Sequence, residues 1–293
     1  MQAEREKVTP FMGRWEDYAA TDSVILGVPL DDTVSFRPGS RFAPRKIREV
    51  SIGLEEYSPL LDKDLADYRY YDAGDLLLAP GSVEQSLTRI GGAWAEIRSG
   101  DKLPILLGGE HLLTFPAVQR AAKLYPDLVV LQFDAHTDLR QEYLGSKLSH
   151  ASVIRRICQW VAPERIYQMG IRSGTREEFV FARKHTNFAP EMNLEILAAW
   201  VAEIKERPVY LTLDIDVLDP AFAPGTGTPE QGGCTSAQLL AAFPILSSLS
   251  VVGFDLVEVC PLCDHGDITS ILAAKLVREA ILAFSRPGEN KSE

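Results

Sequence analysis

The chain has 293 residues, is 46% hydrophobic and carries a formal net charge of −11. That length buries a large core without disulfides, and the acidic balance argues against nucleic acid as the main partner while suiting a cationic ligand. No apolar run approaches the ~20 residues of a membrane span, and Met1–Lys7 lacks the apolar stretch of a signal peptide, so a soluble, cytoplasmic protein without a membrane partner is expected.

Ser23–Val28 reads as the first strand, apolar at nearly every position as in a strand buried on both faces of a parallel sheet. Tyr68–Tyr71 is a second candidate. Ser82-Val-Glu-Gln85 has capping-box spacing and opens a helix running to about Arg98. Leu103–Leu107 is the next strand and leads directly into Gly108-Gly-Glu-His111. Leu128–Phe133 follows and ends in Asp134-Ala-His-Thr-Asp138. Arg165–Met169 is a further strand. Met192–Glu206 is an amphipathic helix stopped ahead of Pro208. Val209–Leu213 precedes Asp214-Ile-Asp-Val-Leu-Asp-Pro220. A second capping box, Thr235-Ser-Ala-Gln238, stands before a helical stretch Leu239–Leu249. Val251–Val257 runs into Glu258, and Ile268–Phe284 is the last helix. The polar tail Arg286–Glu293 is expected to fray. Alternating strands and helices argue for an α/β fold with a mostly parallel sheet. With no repeat or linker, residues 1–293 are expected to form one domain.

In open α/β sheets, ligands bind beyond the carboxyl ends of the strands. Here those ends supply His111, then Asp134, His136 and Asp138, then Asp214 and Asp216, then Glu258. Desolvating so much charge is costly unless cations sit among it. In extended chain alternate side chains share a face, so Asp134, His136 and Asp138 can point into one site, and Asp214 and Asp216 repeat the spacing. Four carboxylates and two imidazoles suit manganese best, with iron, cobalt, nickel or zinc as substitutes. Six ligands are too many for one tetrahedral ion, so two ions with a bridging carboxylate are expected, the arrangement that activates water in hydrolases. Four aspartates balance two divalent ions, and an added hydroxide leaves the cluster negative. That balance leans towards a cationic substrate, for which Glu258 is the candidate partner.

Other features carry less. The four cysteines, Cys158, Cys234, Cys260 and Cys263, form no disulfide framework, and Cys260-Pro-Leu-Cys263 has no second C-x-x-C to complete a zinc ribbon. The pair reads as two small residues beside a site, with a redox role as the alternative. The glycine-rich Gly225–Gly233 loop lacks the G-K-[ST] of a phosphate cradle and suits close approach of Thr228 to a ligand. His185 and His265 read as ordinary surface histidines.

Gly108-Gly-Glu-His111, Asp134-Ala-His-Thr-Asp138, Ser149-His150, Asp214–Pro220, Gly225-Thr-Gly-Thr228 and Glu258-Val-Cys-Pro261 together resemble the ureohydrolase (arginase/agmatinase) family. So do Arg37-Pro-Gly-Ser-Arg-Phe-Ala-Pro-Arg-Lys-Ile-Arg48 and Gly170-Ile-Arg-Ser173, and the resemblance runs from about Val24 to Phe284. It implies a three-layer α/β/α fold, two Mn2+ per chain and a homo-oligomer, a trimer or hexamer. It also implies that His111, Asp134, Asp138 and Asp214 hold one ion, and that Asp134, His136, Asp214 and Asp216 hold the other. His150 matches the family's proton-shuttling histidine, while Glu258 and Thr228 match residues facing a guanidinium. The segment Tyr143–His150 lacks the asparagine that arginases use near the substrate's α-carboxylate, so the chain looks most like an agmatinase. The expected reaction is hydrolysis of agmatine to putrescine and urea, with Asp138, His150 and Glu258 catalytic. The alternatives are another guanidino substrate (guanidinobutyrate, arginine or guanidine) or a non-catalytic binding protein on the same fold. Ala151, Cys260 and Cys263 depart from the family pattern, and Cys263 is expected to shape the pocket wall.

Overall fold

The computed structural model describes residues 3–14 and 17–288. In chain order the strands are β1 (Arg5–Glu6), β2 (Ser23–Val28), β3 (Tyr57–Ser58), β4 (Lys63–Asp64), β5 (Tyr70–Leu76), β6 (Leu103–Gly108), β7 (Val129–Phe133), β8 (Ile166–Met169), β9 (Asn187–Ala189), β10 (Pro208–Asp214) and β11 (Ser250–Val257). The α-helices are α1 (Ala43–Ser51), α2 (Val83–Ser99), α3 (Thr114–Leu124), α4 (Val153–Ile157), α5 (Arg176–His185), α6 (Leu194–Ile204), α7 (Ser236–Leu240), α8 (Phe243–Leu246) and α9 (Ile268–Phe284).

Nine strands form one sheet in the order β1-β5-β2-β6-β11-β10-β7-β8-β9, and β3 and β4 form a separate small pair. Within the large sheet, only the β1–β5 pairing at the edge is antiparallel. Parallel strands need coverage on both faces, and two apolar clusters provide it. Ile105, Leu107, Leu131, Leu211 and Leu256 pack on one face with Ile47 of α1, Leu197 of α6 and Leu276 of α9. Leu26, Leu106, Val130 and Tyr210 pack on the other with Trp94 of α2, Ala117 of α3 and Ile154 of α4. The result is the expected three-layer α/β/α arrangement.

Register brings the strand ends level. Leu107 pairs with Leu256, Leu256 with Leu213, and Leu213 with Phe133, so one row of residues crosses β6, β11, β10 and β7. These four adjacent central strands are the ones followed by His111, Glu258, Asp214 and Asp134. The topology places β10 and β11 between β6 and β7, and no local pattern in the chain encodes that insertion.

Strand and helix boundaries differ from the sequence reading in two places of consequence. Of Tyr68–Tyr71 only Tyr70 and Tyr71 are strand, the start of the longer Tyr70–Leu76, which alternates buried and half-buried residues because it lies near the sheet edge. Leu239–Leu249 is not one helix. α7 ends at Leu240 and α8 starts at Phe243, with Pro244 in its first turn, where a missing N–H does no harm. The tail is less free than expected where it is described. Pro287 bridges to Tyr68, and the N–H of Gly288 donates to the carbonyl of Asp67 at 2.8 Å. Residues 289–293 lie outside the described residues.

One buried ion pair fixes the helix that follows the Arg37–Pro44 segment. Arg48 of α1, 1% exposed, donates to both carboxylate oxygens of Asp72 and to Oδ1 of Asp75, and to the carbonyl of Gly74. This ties α1 to β5 beneath the loop that runs back to the site.

Candidate metal centre

β7 ends at Phe133, and beyond it the ladder continues only as an isolated bridge between His136 and Ser173. The strand alternation that was expected to align Asp134, His136 and Asp138 therefore does only part of the placement. Asp138 takes a left-handed backbone, φ 53°, and that turn aims its Oδ2 at Nδ1 of His111, 3.0 Å away. Glu258 is also left-handed, φ 64°. Such conformations cost of order 1 kcal/mol or more in a non-glycine residue and cluster at functional sites. Asp214 is the last residue of β10 and caps the turn 215–217, its Oδ1 accepting the N–H of Asp216 at 2.9 Å.

Asp134 lies at the centre, fully buried. Its Oδ2 is 3.1 Å from Nδ1 of His111, and its Oδ1 is 3.7 Å from Nδ1 of His136. The donor atoms form two tight groups, His111–Asp134–Asp138 and Asp134–His136–Asp216, and Asp134 belongs to both. Asp216 Oδ2 approaches Nδ1 of His136 to 2.9 Å. Asp214 falls in neither tight group, but its Oδ2 stands 3.4 Å from Nδ1 of His111.

Three features of this arrangement fit cations. Among the described residues, Nδ1 of His111 and Oδ2 of Asp216 are buried without a partner in hydrogen-bond geometry, despite their close neighbours. The oxygen-rich set with two imidazoles is the donor chemistry of a hard to borderline divalent ion. The protein's own charges also balance poorly. Burial and then the Asp134 charge push the Asp138 carboxyl up to about 7. Burial together with Asp216 and Asp134 raises Asp214 well above its ordinary range. Burial alone would depress His136, but Asp216 and Asp134 push it up to about 12. Without cations the cluster is neutralised by protons.

The candidate ligands are held from behind by residues that the motifs did not single out. His111 Nε2 lies 3.0 Å from Oγ1 of Thr212, whose own hydrogen goes to Asp255 Oδ1 at 2.5 Å. Thr212 therefore accepts from Nε2–H, and Nδ1 is the ring nitrogen turned to the aspartates; burial opposes its protonation, but hydrogen bonds to Asp134, Asp138 and Asp214 raise the imidazole well above its ordinary value while no ion is bound. Asp255 also accepts from Tyr210 and Thr114. Gln132 donates to Asp134 Oδ2 at 2.6 Å, its amide oriented by Gln168. Thr212, Asp255 and Gln132 each stand as a polar residue flanked by apolar ones inside a largely apolar strand, and that was the available signal.

Above the aspartates is a cavity of about 230 Å³ lined by His111, His136, Asp138, Asp214 and Asp216, and by Glu258, Thr228 and His150. Every proposed site residue except the deeper Asp134 thus meets in one place. Glu258 spends Oε1 on the N–H of His111 at 2.7 Å, and burial pushes its carboxyl up to about 8. His150 Nδ1 lies 2.9 Å from the carbonyl of Thr33, an arrangement that requires Nδ1–H as donor. Its backbone N–H donates to Thr33 Oγ1, which donates in turn to buried Glu110 at 2.5 Å. Burial lowers the His150 imidazole below its ordinary value. Ser35, Arg140 and Tyr143 also line the cavity. Arg140 lies 4.6 Å over the Tyr143 ring, and its Nε is 3.6 Å from Glu178. His185 and His265 are away from the cavity, as are Cys260 and Cys263, so the expectation that Cys263 shapes its wall is not met.

The profile described as "Arginase family" matches residues 21–283. A curated agmatinase from Bacillus cereus is 51% identical, over 89% of this chain and 91% of that protein. The agmatinase of Bacillus anthracis is 48% identical, over 94% and 96%. Among solved structures, the agmatine ureohydrolase of Thermoplasma volcanium superposes with a TM-score of 0.85 at 34% identity, covering 95% of this chain and 94% of that one.

Proposed function

The chain belongs to the arginase family, and from that footing we propose that it hydrolyses the guanidino group of agmatine to give putrescine and urea. The observation that carries the reading is the central place of Asp134, one oxygen towards each histidine, at the floor of a cavity that also holds Glu258 and His150. We assign His111, Asp134, Asp138 and Asp214 to one manganese ion, and Asp134, His136, Asp214 and Asp216 to the other. A bound pair of divalent ions supplies a water acidic enough to attack near neutral pH.

The protein's own groups do the rest. Glu258, with Oε1 engaged by the backbone of His111, has Oε2 for the guanidinium, and it fixes the reacting carbon over the aspartate floor. Thr228 meets the same group from the Gly225–Gly233 loop. Asp138 holds Oδ2 towards His111 and can carry a proton on Oδ1 to the leaving amine. His150, its Nδ1–H fixed on Thr33, presents Nε2 as the acceptor that exchanges protons with solvent. A carboxylate-tailed substrate such as guanidinobutyrate, or arginine itself, would call for a free cation. Arg140 instead leans on Glu178 and Tyr143, which favours a tail without a carboxylate. The reading places the protein in the cytoplasm as one domain within a homo-oligomer. Among the described residues no helix is long and apolar enough to cross a membrane.

The manganese-loaded protein should release urea and putrescine from agmatine in equal amounts. Agmatine consumed without urea would overturn the reading. Glu258→Gln should lose most activity while keeping its metal, and full activity in that variant would remove the role given to Glu258.

A further inference from the structure

Cys260 and Cys263 take no part in the site, yet the fold holds them together. Their sulfurs are 3.6 Å apart, and the N–H of Cys263 donates to the carbonyl of Cys260 at 2.9 Å. That bond closes a four-residue turn, whose end Cα atoms lie within about 7 Å. A disulfide accepts Cα separations of about 4.4–6.8 Å. Joining the sulfurs needs an approach of about 1.5 Å, within reach of side-chain rotation in such a turn. Cys260 is buried and Cys263 half-buried, with Leu262 between them 67% exposed. Solvent therefore reaches this turn.

The turn also buttresses the loop over the cavity. Cys260 donates its thiol hydrogen towards the carbonyl of Pro38 at 3.7 Å. Gly39 sits so close that a Cβ there would come within 2.9 Å of the Cys260 sulfur. Asp31 anchors the same loop by accepting the N–H of Gly39 at 2.8 Å. Between Asp31 and Gly39 lie Thr33, which holds His150, and Ser35, which lines the cavity.

We propose that Cys260 and Cys263 form a reversible disulfide, and that forming it loosens the Asp31–Gly39 loop and weakens substrate binding. The co-reactant is a small-molecule disulfide. Cys263, the more exposed thiol, gives up its proton and attacks one sulfur of the oxidant, expelling a thiolate. Burial pushes the Cys260 thiol up to about 12, so it is the resolving partner and not the first nucleophile. Its sulfur then attacks that of Cys263, expels the second thiolate and loses its proton to it. The protein pair is oxidised by two electrons and the oxidant becomes two thiols. The Cys260 hydrogen that reached Pro38 is consumed, and its sulfur draws away from Gly39. Disulfides that appear in the cytoplasm are usually transient and redox-sensing, which suits a bond that opens again. The chemical half of this inference stands alone, whereas the kinetic half rests on the agmatine reading.

The test exposes the metal-loaded enzyme to hydroxyethyl disulfide, then counts thiols in denaturant and maps peptides by mass. Two of the four thiols should disappear, and the peptide holding Cys260 and Cys263 should lose two hydrogens. KM for agmatine should rise about fivefold and kcat should fall as Thr33 releases His150, and a dithiol reductant should restore both. Cys263→Ser should keep its KM under the same treatment. A mixed disulfide that stays open on Cys263, or loss confined to Cys158, overturns the proposed bond. A closed bond with unchanged KM overturns the coupling. Failure of the agmatine reading would show separately, as no urea from the fully reduced enzyme.

Discussion

Nε2 of His111 meets Oγ1 of Thr212 at 3.0 Å, and because Thr212 spends its own hydrogen on Asp255, the imidazole must be the donor. Nε2–H is thereby fixed on Thr212, and Nδ1 faces the aspartates as the nitrogen that would bind an ion once its own proton is lost. Groups that orient a metal-bound histidine in this way typically contribute 10–100-fold in affinity. Thr212→Val should therefore weaken manganese binding by about 10-fold or more. Chelator competition measures this, and the metal-free protein should also melt lower, because buried Asp255 loses a hydrogen-bond donor. Unchanged affinity would mean that Thr212 only fills space.

Metal uptake should release protons. Without ions, His136 is pushed up to about 12 and Asp138 up to about 7, so both carry protons below neutrality. Both must be deprotonated as ligands. Apparent affinity should rise with pH across 6–8, steepest where Asp138 still holds its proton. Calorimetry in buffers of different ionisation enthalpy would detect the released protons, and a buffer-independent enthalpy would contradict the assignment.

Thr33 is expected to act through His150. It accepts from the imidazole at its carbonyl and from the backbone of residue 150 at its hydroxyl, and that hydroxyl donates to Glu110. Thr33→Ala should lower kcat by about 10-fold, a fraction of what a positioned acid–base group supplies. Metal content and KM should hold, and Thr33→Ser should recover most of the loss. A change in KM alone would reassign Thr33 to substrate binding.

Arg48 tests the frame apart from the chemistry. Arg48→Met leaves Asp72 buried without its cation, which should cost about 3–5 kcal/mol. Denaturant unfolding would show this as a lower midpoint. A loss below about 1 kcal/mol would mean that Asp72 is neutral or rehydrated.

Much of this was legible in the chain because strand-end chemistry and apolar runs are local. Ser23–Val28 and Ile268–Phe284 have the same bounds in sequence and structure. The aspartates and histidines stood out because charge directly after a buried strand demands compensation. The sheet order was not legible, since nothing local says that β10 and β11 insert between β6 and β7. Nor was the way Asp138 reaches the cluster, because its left-handed backbone is set by the loop and not by strand alternation. Thr212, Asp255 and Gln132 carried a faint signal as polar residues in apolar strands, but their partners lie on neighbouring strands. Cys263 was misplaced because motif spacing does not reveal which side of a turn a residue takes.

The most direct test of the account is a substrate comparison on the manganese-loaded enzyme, reading urea release from agmatine, arginine, guanidinobutyrate and guanidine. Differences in polar recognition of this kind readily reach 10²-fold or more in kcat/KM. The account predicts that agmatine exceeds each of the others by at least about 100-fold. Equal or faster urea release from any of the other three would contradict it.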